Sequence, residues 1–341
     1  MYWFIFTIII LLTASLALNV IFLFRFVWTD KHSNGRLIVQ NISLSLFSLL
    51  LITILLEVYF KVFFAQSDTF GFTLAEENWH ARYVQTNSLG YRDIEWTPEL
   101  LEGRTKIMVL GDSFVEGAGI NDPANRFSNL LGQMLGDEYA VMNVGIGGVG
   151  TKDEIRNAFE YPYPPDIIIL CFYLNDIDQT AQDMGFKRPS LAVETPFLVD
   201  QSYALNFFYW RLYRLVPQAG ETYWNWLVSL YNDPDIWEVY RGELLQVAQI
   251  AKDRRNPLIV VVFPEMLAVE ESRPITSQVA NLYREQELPV LDVTDLVAGM
   301  DPAGLVVNSV DSHPNEFVHR LVAEGLYPLV LDSRQRASQQ P

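Results

Sequence analysis

A chain of 341 residues, 50% hydrophobic and 13% aromatic, is long enough to bury a full core with segments to spare. Its formal net charge of -17 argues against a nucleic-acid partner, because gripping phosphates needs clustered Lys and Arg. The single cysteine, Cys171, sits in an apolar run as a small core residue and excludes an intrachain disulfide or a cysteine zinc cluster.

The first 64 residues predict a membrane anchor. Tyr2 to Val27 carries no charge before Arg25, and Leu37 to Leu56 is a second uncharged run of about the length that spans a bilayer. Serines and Asn41 in the second run are tolerable on a face packed against the first helix. Trp3, Trp28, Tyr59 and Phe60 stand where interfacial aromatics belong. A cleaved signal peptide fits less well, since there is no basic n-region and a second span follows directly. Arg25, Lys31 and Arg36 flank or occupy the loop Thr29 to Arg36, which the positive-inside bias assigns to the cytoplasm. The expectation is an integral membrane protein with two N-terminal spans and its large domain extracytoplasmic.

Residues 65–104 form a polar approach segment punctuated by Gly71, Gly90 and Gly103. The piece Asn87 to Asp93 reads either as an ordinary surface loop or as an ordered turn, with Gly90 at positive φ and Arg92 paired to a carboxylate.

From 105 to 333, apolar strands are expected at Ile107–Leu110, Tyr139–Val144, Ile167–Phe172, Leu258–Phe263 and Val290–Val293. Helical patterns fall at Phe127–Leu135, Lys152–Phe159, Ile236–Asp253, Ile275–Gln286 and Asn315–Leu331. Continuous apolar strands alternating with helices imply a parallel sheet covered on both faces, hence an α/β fold built as a three-layer α/β/α sandwich of about five strands. The alternation stops over 177–235, an insertion dense in aromatics such as Tyr203, Phe207, Trp210 and Tyr231. It reads either as a lid or substrate platform, whose rings suit sugars, acyl chains or a membrane interface, or as a helical hairpin with its own small core. Residues 334–341 read as a disordered tail.

Four stretches at strand ends carry chemistry. Gly111-Asp112-Ser113 follows the first strand, at the sheet edge where ligands bind in open α/β folds. Ser113 is either a helix cap or a nucleophile, and a nucleophile needs a base and donors aimed at an oxyanion. Asn143 to Thr151 follows the second strand, and its glycines let a backbone N–H approach a substrate closely. Gly145, Gly147 and Gly150 also match a dinucleotide pattern, although after the wrong strand, and the run to Lys152 approaches a P-loop with lysine and hydroxyl in reversed order. Asn175, in Tyr173-Leu174-Asn175-Asp176, offers an amide to an oxyanion or else makes an Asx turn. In Asp311-Ser312-His313-Pro314-Asn315, the histidine can take a serine proton and the aspartate can fix its tautomer, with Pro314 suited to the first turn of the helix that follows. His319 reads as a packing residue. The four histidines, His32, His80, His313 and His319, form no HExxH or paired metal pattern, and no metal or organic cofactor is implied.

These blocks in this order resemble the SGNH/GDSL hydrolase superfamily over about residues 105 to 330, which implies a flavodoxin-like fold. The Ser, Gly, Asn and His of the name fall on Ser113, Gly148, Asn175 and His313. The resemblance implies that Ser113 attacks an ester carbonyl while the Ser113 N–H, the Gly148 N–H and the Asn175 amide form the oxyanion hole. Asn87 to Asp93 also resembles a piece found upstream of the catalytic block in bacterial members.

Two departures stand out. Val310 occupies the place three before the histidine, so the triad acid falls on Asp311, and Asp112 becomes a turn residue. Tyr173-Leu174 replaces the usual glycine before Asn175. GxSxG is absent around Ser113, which disfavours an α/β-hydrolase elbow. The expected function is a membrane-anchored serine esterase acting on an ester, either an O-acetyl group on a cell-envelope glycan or a lipid. Two alternatives stand beside it. One is an O-acyltransferase, which would require a membrane partner to supply the acyl donor. The other is a non-catalytic glycan-binding or assembly domain.

Overall fold

The computed structural model describes residues 2–28, 34–69, 71–189, 195–213 and 218–339. The loop at 29–33, on which the expected orientation turns, lies outside them, as do the side chains of Trp3, Arg25, Trp28 and Arg36. The chain divides into two compact units. One comprises Met1–Gln66, Gly71–His80 and Ala192–Val216, and the other Ser67–Phe70, Ala81–Leu191 and Pro217–Pro341.

The first unit is built on the helices Tyr2–Trp28 and Asn34–Val58, the second of which continues through a wider turn at Tyr59–Phe63. Among the described residues, one helix, Ile38–Phe63, is long and apolar enough to cross a membrane, and Thr7–Phe22 is a shorter apolar stretch. The Ser15 hydroxyl and the Asn19 amide of the first helix donate to the Ser43 carbonyl of the second, at 3.4 and 3.2 Å. Asn78 donates to the carbonyls of Phe60, Lys61 and Phe64, acceptors that a helix end leaves without intrahelical donors. Glu57 is buried and accepts from Ser202 Oγ at 2.7 Å and from the N–H groups of Tyr203 and Ala204 at 2.9 and 3.1 Å. A carboxylate there satisfies the free donors that open the helix Tyr203–Tyr213. Phe207 of that helix packs 4.1 Å from Phe60, and the Arg211 guanidinium lies over the Phe207 ring.

The second unit holds a five-stranded parallel sheet: β1 Thr105–Gly111, β2 Tyr139–Gly145, β3 Ile167–Phe172, β4 Leu258–Val262 and β5 Val290–Asp292. The strand order is β2-β1-β3-β4-β5. Successive side chains point to opposite faces, and both faces are buried. On one side Met108, Leu110, Ile168, Leu170, Val260 and Val262 meet residues of the helices Pro234–Asp253 and Val269–Arg284. On the other, Ile107, Val109, Ile169, Cys171 and Val261 meet Phe127 and Leu131, with Val318, Val322 and Leu326 of the last helix. This is the expected three-layer α/β/α arrangement, and Cys171 is a buried free thiol in it. The order reverses at β1, and ligands in such sheets usually sit outside the carboxyl ends of the strands flanking that point, here β1 and β3.

The structure corrects several sequence expectations. The aromatic insertion is not one hairpin with a core of its own: it is shared between the two units. Residues 195–213 join the first unit, around Phe60, Tyr203 and Ala204, while Ile177–Asp183 and the helix Gln218–Asn232 belong to the second and bury Ile177, Ala181, Leu227, Leu230 and Tyr231 in the main core. His313 lies on a strand, not in a loop: β6 Val306–Asn308 and β7 Asp311–Pro314 pair antiparallel. Pro314 therefore ends β7 rather than opening the helix. Asn315 starts the helix instead, its Oδ1 accepting from the N–H groups of Phe317 and Val318. That helix runs Glu316–Gln339, so 334–339 are helical, and Arg334 reaches the Tyr139 hydroxyl at 2.8 Å and lies over its ring.

Candidate active site

The site starts where β1 stops. A Cβ on Gly111 would fall 2.4 Å from Val115 Cγ2, so only glycine lets the chain fold straight from the strand into the short helix Ser113–Glu116. Buried Asp112 caps that helix, its Oδ1 accepting from the Phe114 N–H at 2.9 Å. The Ser113 N–H, at the open end of the helix, has no acceptor among the described residues.

Two arginines brace the segment after the serine. Arg92 donates to main-chain carbonyls: Gly117 at 2.7 Å, Ile120 at 2.6 Å and Tyr83 at 2.8 Å. Arg126 Nη1 donates in turn to the carbonyls of Arg92 and of Glu116. Asn87 to Asp93 is thus an ordered turn, with Gly90 at φ 87°.

The β6–β7 hairpin delivers the partners of Ser113. His313 Nε2 lies 2.8 Å from Ser113 Oγ, and His313 Nδ1 lies 2.5 Å from Asp311 Oδ1. A carboxylate facing Nδ1 holds a proton there and leaves the Nε2 lone pair for the serine hydroxyl. Asp311 Oδ1 also accepts from the His313 backbone N–H at 3.1 Å, which fixes the pair within one strand.

Burial alone would lower the His313 pKa. The charge and hydrogen bond of Asp311 outweigh it, helped by Asp112 and Glu265, and raise the imidazole to about 9. Burial works against the Asp311 carboxylate too, but His313 holds its pKa below the usual range. Asp112 is raised to about 6, chiefly by burial, and its Oδ2 is 3.4 Å from Ser113 Oγ.

The glycine loop after β2 runs alongside. A Cβ on Gly145 would lie 2.4 Å from the Glu116 nitrogen, and one on Gly147 would lie 3.8 Å from Ser113 Cβ. Gly150 similarly abuts the Asp176 carbonyl. The spacing that resembled a dinucleotide pattern is thus accounted for by close packing of Gly145 and Gly147 on the serine turn and of Gly150 on the turn after β3. Gly148 takes φ +79° with open space where its Cβ would be. Asn143 fastens the loop, donating to the Val115 carbonyl at 2.7 Å while its Oδ1 accepts from the Gly145 N–H.

Asn175 lies in the single turn Leu174–Asp176 after β3, and its Oδ1 is buried without a partner among the described residues. Tyr173, two residues earlier, stacks on Phe114 with ring centroids 3.9 Å apart. Thus Ser113, His313 and Asp311 form one hydrogen-bonded chain, with the loop of Gly148 and the turn of Asn175 following the strands on either side of β1. His319 stands apart: its Nδ1 accepts from the Phe127 N–H, and burial, with Arg126 nearby, takes its pKa down to about 3.

The sequence reading missed Glu265. It follows β4 at the same sheet edge, accepts from the Tyr173 hydroxyl at 2.6 Å, and adds to the negative field at His313. Its place just past an apolar strand end was the available signal.

No curated protein matches the chain. Among solved structures it is similar to a carbohydrate acetylesterase family member from Sinorhizobium meliloti, at 15% identity, covering 67% of this chain and 98% of that one, with TM-score 0.39. It is similar also to a member of the lipolytic protein G-D-S-L family from Veillonella parvula DSM 2008, at 14% identity, 66% and 98% coverage and TM-score 0.39. A two-domain esterase active on acetylated mannans is matched at 15% identity over 70% of this chain and 52% of that one, with TM-score 0.42. The profile of the GDSL-like lipase/acylhydrolase family matches residues 109–321, well over half of the sequence and spanning the blocks from Ser113 to His313. The chain belongs to the GDSL-like lipase/acylhydrolase family and is a serine hydrolase acting on esters.

Proposed function

We propose that the protein is a membrane-anchored esterase that removes a short acyl group, an O-acetyl, from a cell-envelope glycan on the outer side of the membrane. The observation that carries the catalytic part is the continuous chain from Ser113 Oγ through His313 to Asp311. The apolar helix Ile38–Phe63, the apolar stretch Thr7–Phe22 and the polar contacts of Ser15 and Asn19 with Ser43 support a two-span anchor. The basic residues around 25–36 support an outward-facing catalytic domain. The Tyr173 ring, stacked on Phe114 and tied to Glu265, supports a small acyl group, because it fills space beside the serine turn.

In this reading Ser113 Oγ attacks the ester carbonyl and its proton passes to His313 Nε2, while Asp311 holds the Nδ1 proton and stabilises the imidazolium. The negative charge on the carbonyl oxygen is met by the Ser113 N–H, the Gly148 N–H and the Asn175 amide. The tetrahedral adduct collapses, the sugar oxygen leaves with the proton from His313, and an acyl-serine ester remains. Water then attacks that ester, His313 taking its proton, and the carboxylic acid leaves as Ser113 recovers its hydrogen.

The test is a p-nitrophenyl ester series from acetyl to octanoyl, followed by acetylated envelope glycan with release of acetate measured. Acetate release that is lost in Ser113→Ala is expected. Hydrolysis of long-chain esters alone, or transfer of acyl groups to added oligosaccharide without release to water, would overturn the proposal. For topology, a reporter active only outside the cytoplasm and fused after Asp68 is expected to be active, and an inactive fusion would reverse the orientation.

A further inference from the structure

The part of the aromatic insertion that joins the first unit has an apolar face with nothing over it among the described residues. On the helix Tyr203–Tyr213, Leu205, Phe208 and Leu212 recur at the spacing of one helical face, and all three are exposed, Leu212 to 65%. The short helix Phe197–Gln201 adds Phe197, 75% exposed, and Leu198. The opposite face of the longer helix is not free, since Ala204 is buried and Phe207 packs on Phe60. A water-facing helix would turn its polar side outward, so the pattern is inverted relative to a soluble surface.

The exposed face is continuous with the surface of the apolar helix Ile38–Phe63. The Phe208 ring lies 5.9 Å from that of Phe60, whose neighbour Tyr59 is itself half-exposed. Leu55 and Val58, on the preceding turn, are exposed as well. The Glu57 carboxylate fastens the two pieces by capping the helix Tyr203–Tyr213. An exposed apolar flank beside the end of such a helix marks a surface that another apolar phase receives.

We propose that the segment 197–213 lies in the interfacial layer of the bilayer that the second helix enters, with Phe197, Leu205, Phe208 and Leu212 in the boundary between headgroups and acyl chains. Its ligand is the lipid surface itself. An apolar face of this kind buries about 5–10 Å into that boundary. The proposal rests on the membrane-anchored reading above, and it goes further by making this part of the insertion a membrane contact rather than a lid over substrate.

The test uses the full chain reconstituted in phosphatidylcholine vesicles with a fraction of the lipid brominated, in one set at acyl carbons near the headgroup and in another near the chain ends, the latter read for the label at 49. Single bimane labels are placed at Phe208→Cys, Leu212→Cys, Leu49→Cys in the second helix, and Glu285→Cys on the exposed surface of the other unit. Cys171 is buried in the sheet, so the label goes to the introduced thiol. Variants are compared only if they keep the melting temperature of the parent. The expected result is loss of emission at 208 and 212 in brominated vesicles, with protection from aqueous iodide, while the label at 285 is quenched by iodide alone. Emission at 49 lost to lipid while 208 and 212 respond to iodide as 285 does would overturn the interfacial placement and leave the anchor standing. Labels at 208 and 212 shielded from both quenchers would overturn it in favour of a covering protein. A label at 49 untouched by lipid quencher would overturn the anchored reading itself.

Discussion

The Tyr173 hydroxyl donates to the Glu265 carboxylate across 2.6 Å, joining the end of β3 to the segment after β4. The bond fixes a ring that also stacks on Phe114, the residue next to Ser113. In the proposed reading this tyrosine, held at both ends, bounds the acyl site. Removing it should relax chain-length selection. Tyr173→Gly should raise kcat/KM for p-nitrophenyl butyrate relative to acetate by about tenfold, the scale at which one or two methylenes are discriminated in a pocket. An unchanged ratio would show that the ring does not bound the acyl site.

The carboxylates around His313 predict the pH profile. Burial opposes the charged imidazole, but Asp311, Asp112 and Glu265 together raise it to about 9. Only neutral His313 can take the serine proton, so kcat/KM on a soluble ester should climb with pH through the alkaline range rather than level off near neutrality. Glu265→Gln removes one of the three negative neighbours and should move the limb down by about one pH unit or less. A limb that does not move would place Glu265 outside the field of the imidazole.

Asp311→Asn separates chemistry from fold. Losing the anion that orients and stabilises His313 should cut kcat by between about 10² and 10⁴. Stability should change with pH as well. A group whose pKa is raised on folding adds stability below its unfolded value and loses it as pH climbs through the folded one. The His313 contribution is therefore full below 6.5 and gone above about 9. The melting temperature of the parent should fall over that window, and the fall should be smaller in Asp311→Asn. Equal slopes would contradict the pairing.

Asn175→Ala should lower kcat by about 10² to 10³ with little change in KM, as expected for a donor that acts on the oxyanion and not on the ground state. A change in KM alone would make Asn175 a substrate-binding residue.

Arg92→Met tests the brace beneath the site. It leaves the buried Ile120 carbonyl without a donor and the Gly117 carbonyl with only the Ile120 N–H, and an orphaned buried group costs about 1–3 kcal/mol. Urea unfolding should show that loss, and an unaffected midpoint would mean that other donors replace the guanidinium.

What could be read from the sequence had local causes. Ser113, Gly148 and Asn175 each follow an apolar strand in a parallel sheet, so the strand ends put their stretches at one edge, while the choice of Gly148 within its loop came from the family resemblance. The sheet itself was legible because both faces are buried and the strands are continuously apolar. What escaped depends on pairing and contacts that composition does not mark. The strands β6 and β7 are only three and four residues long and exist through pairing such as Asn308 with Asp311. Glu265 matters through a tyrosine 92 residues earlier. The main-chain carbonyls that Arg92 serves carry no sequence signature. The aromatic insertion could not be divided by composition, because its two parts differ only in which core receives them.

The central claim is that Ser113 is a nucleophile activated by His313. A fluorophosphonate probe, which reacts with a serine hydroxyl only when a base and an oxyanion site are in place, tests it most directly on the detergent-solubilised full chain. The predicted result is covalent labelling of the parent at Ser113, with no labelling of Ser113→Ala or His313→Ala although both keep the folded melting transition. Labelling that persists in Ser113→Ala, or a parent that is folded but never labelled, would contradict it.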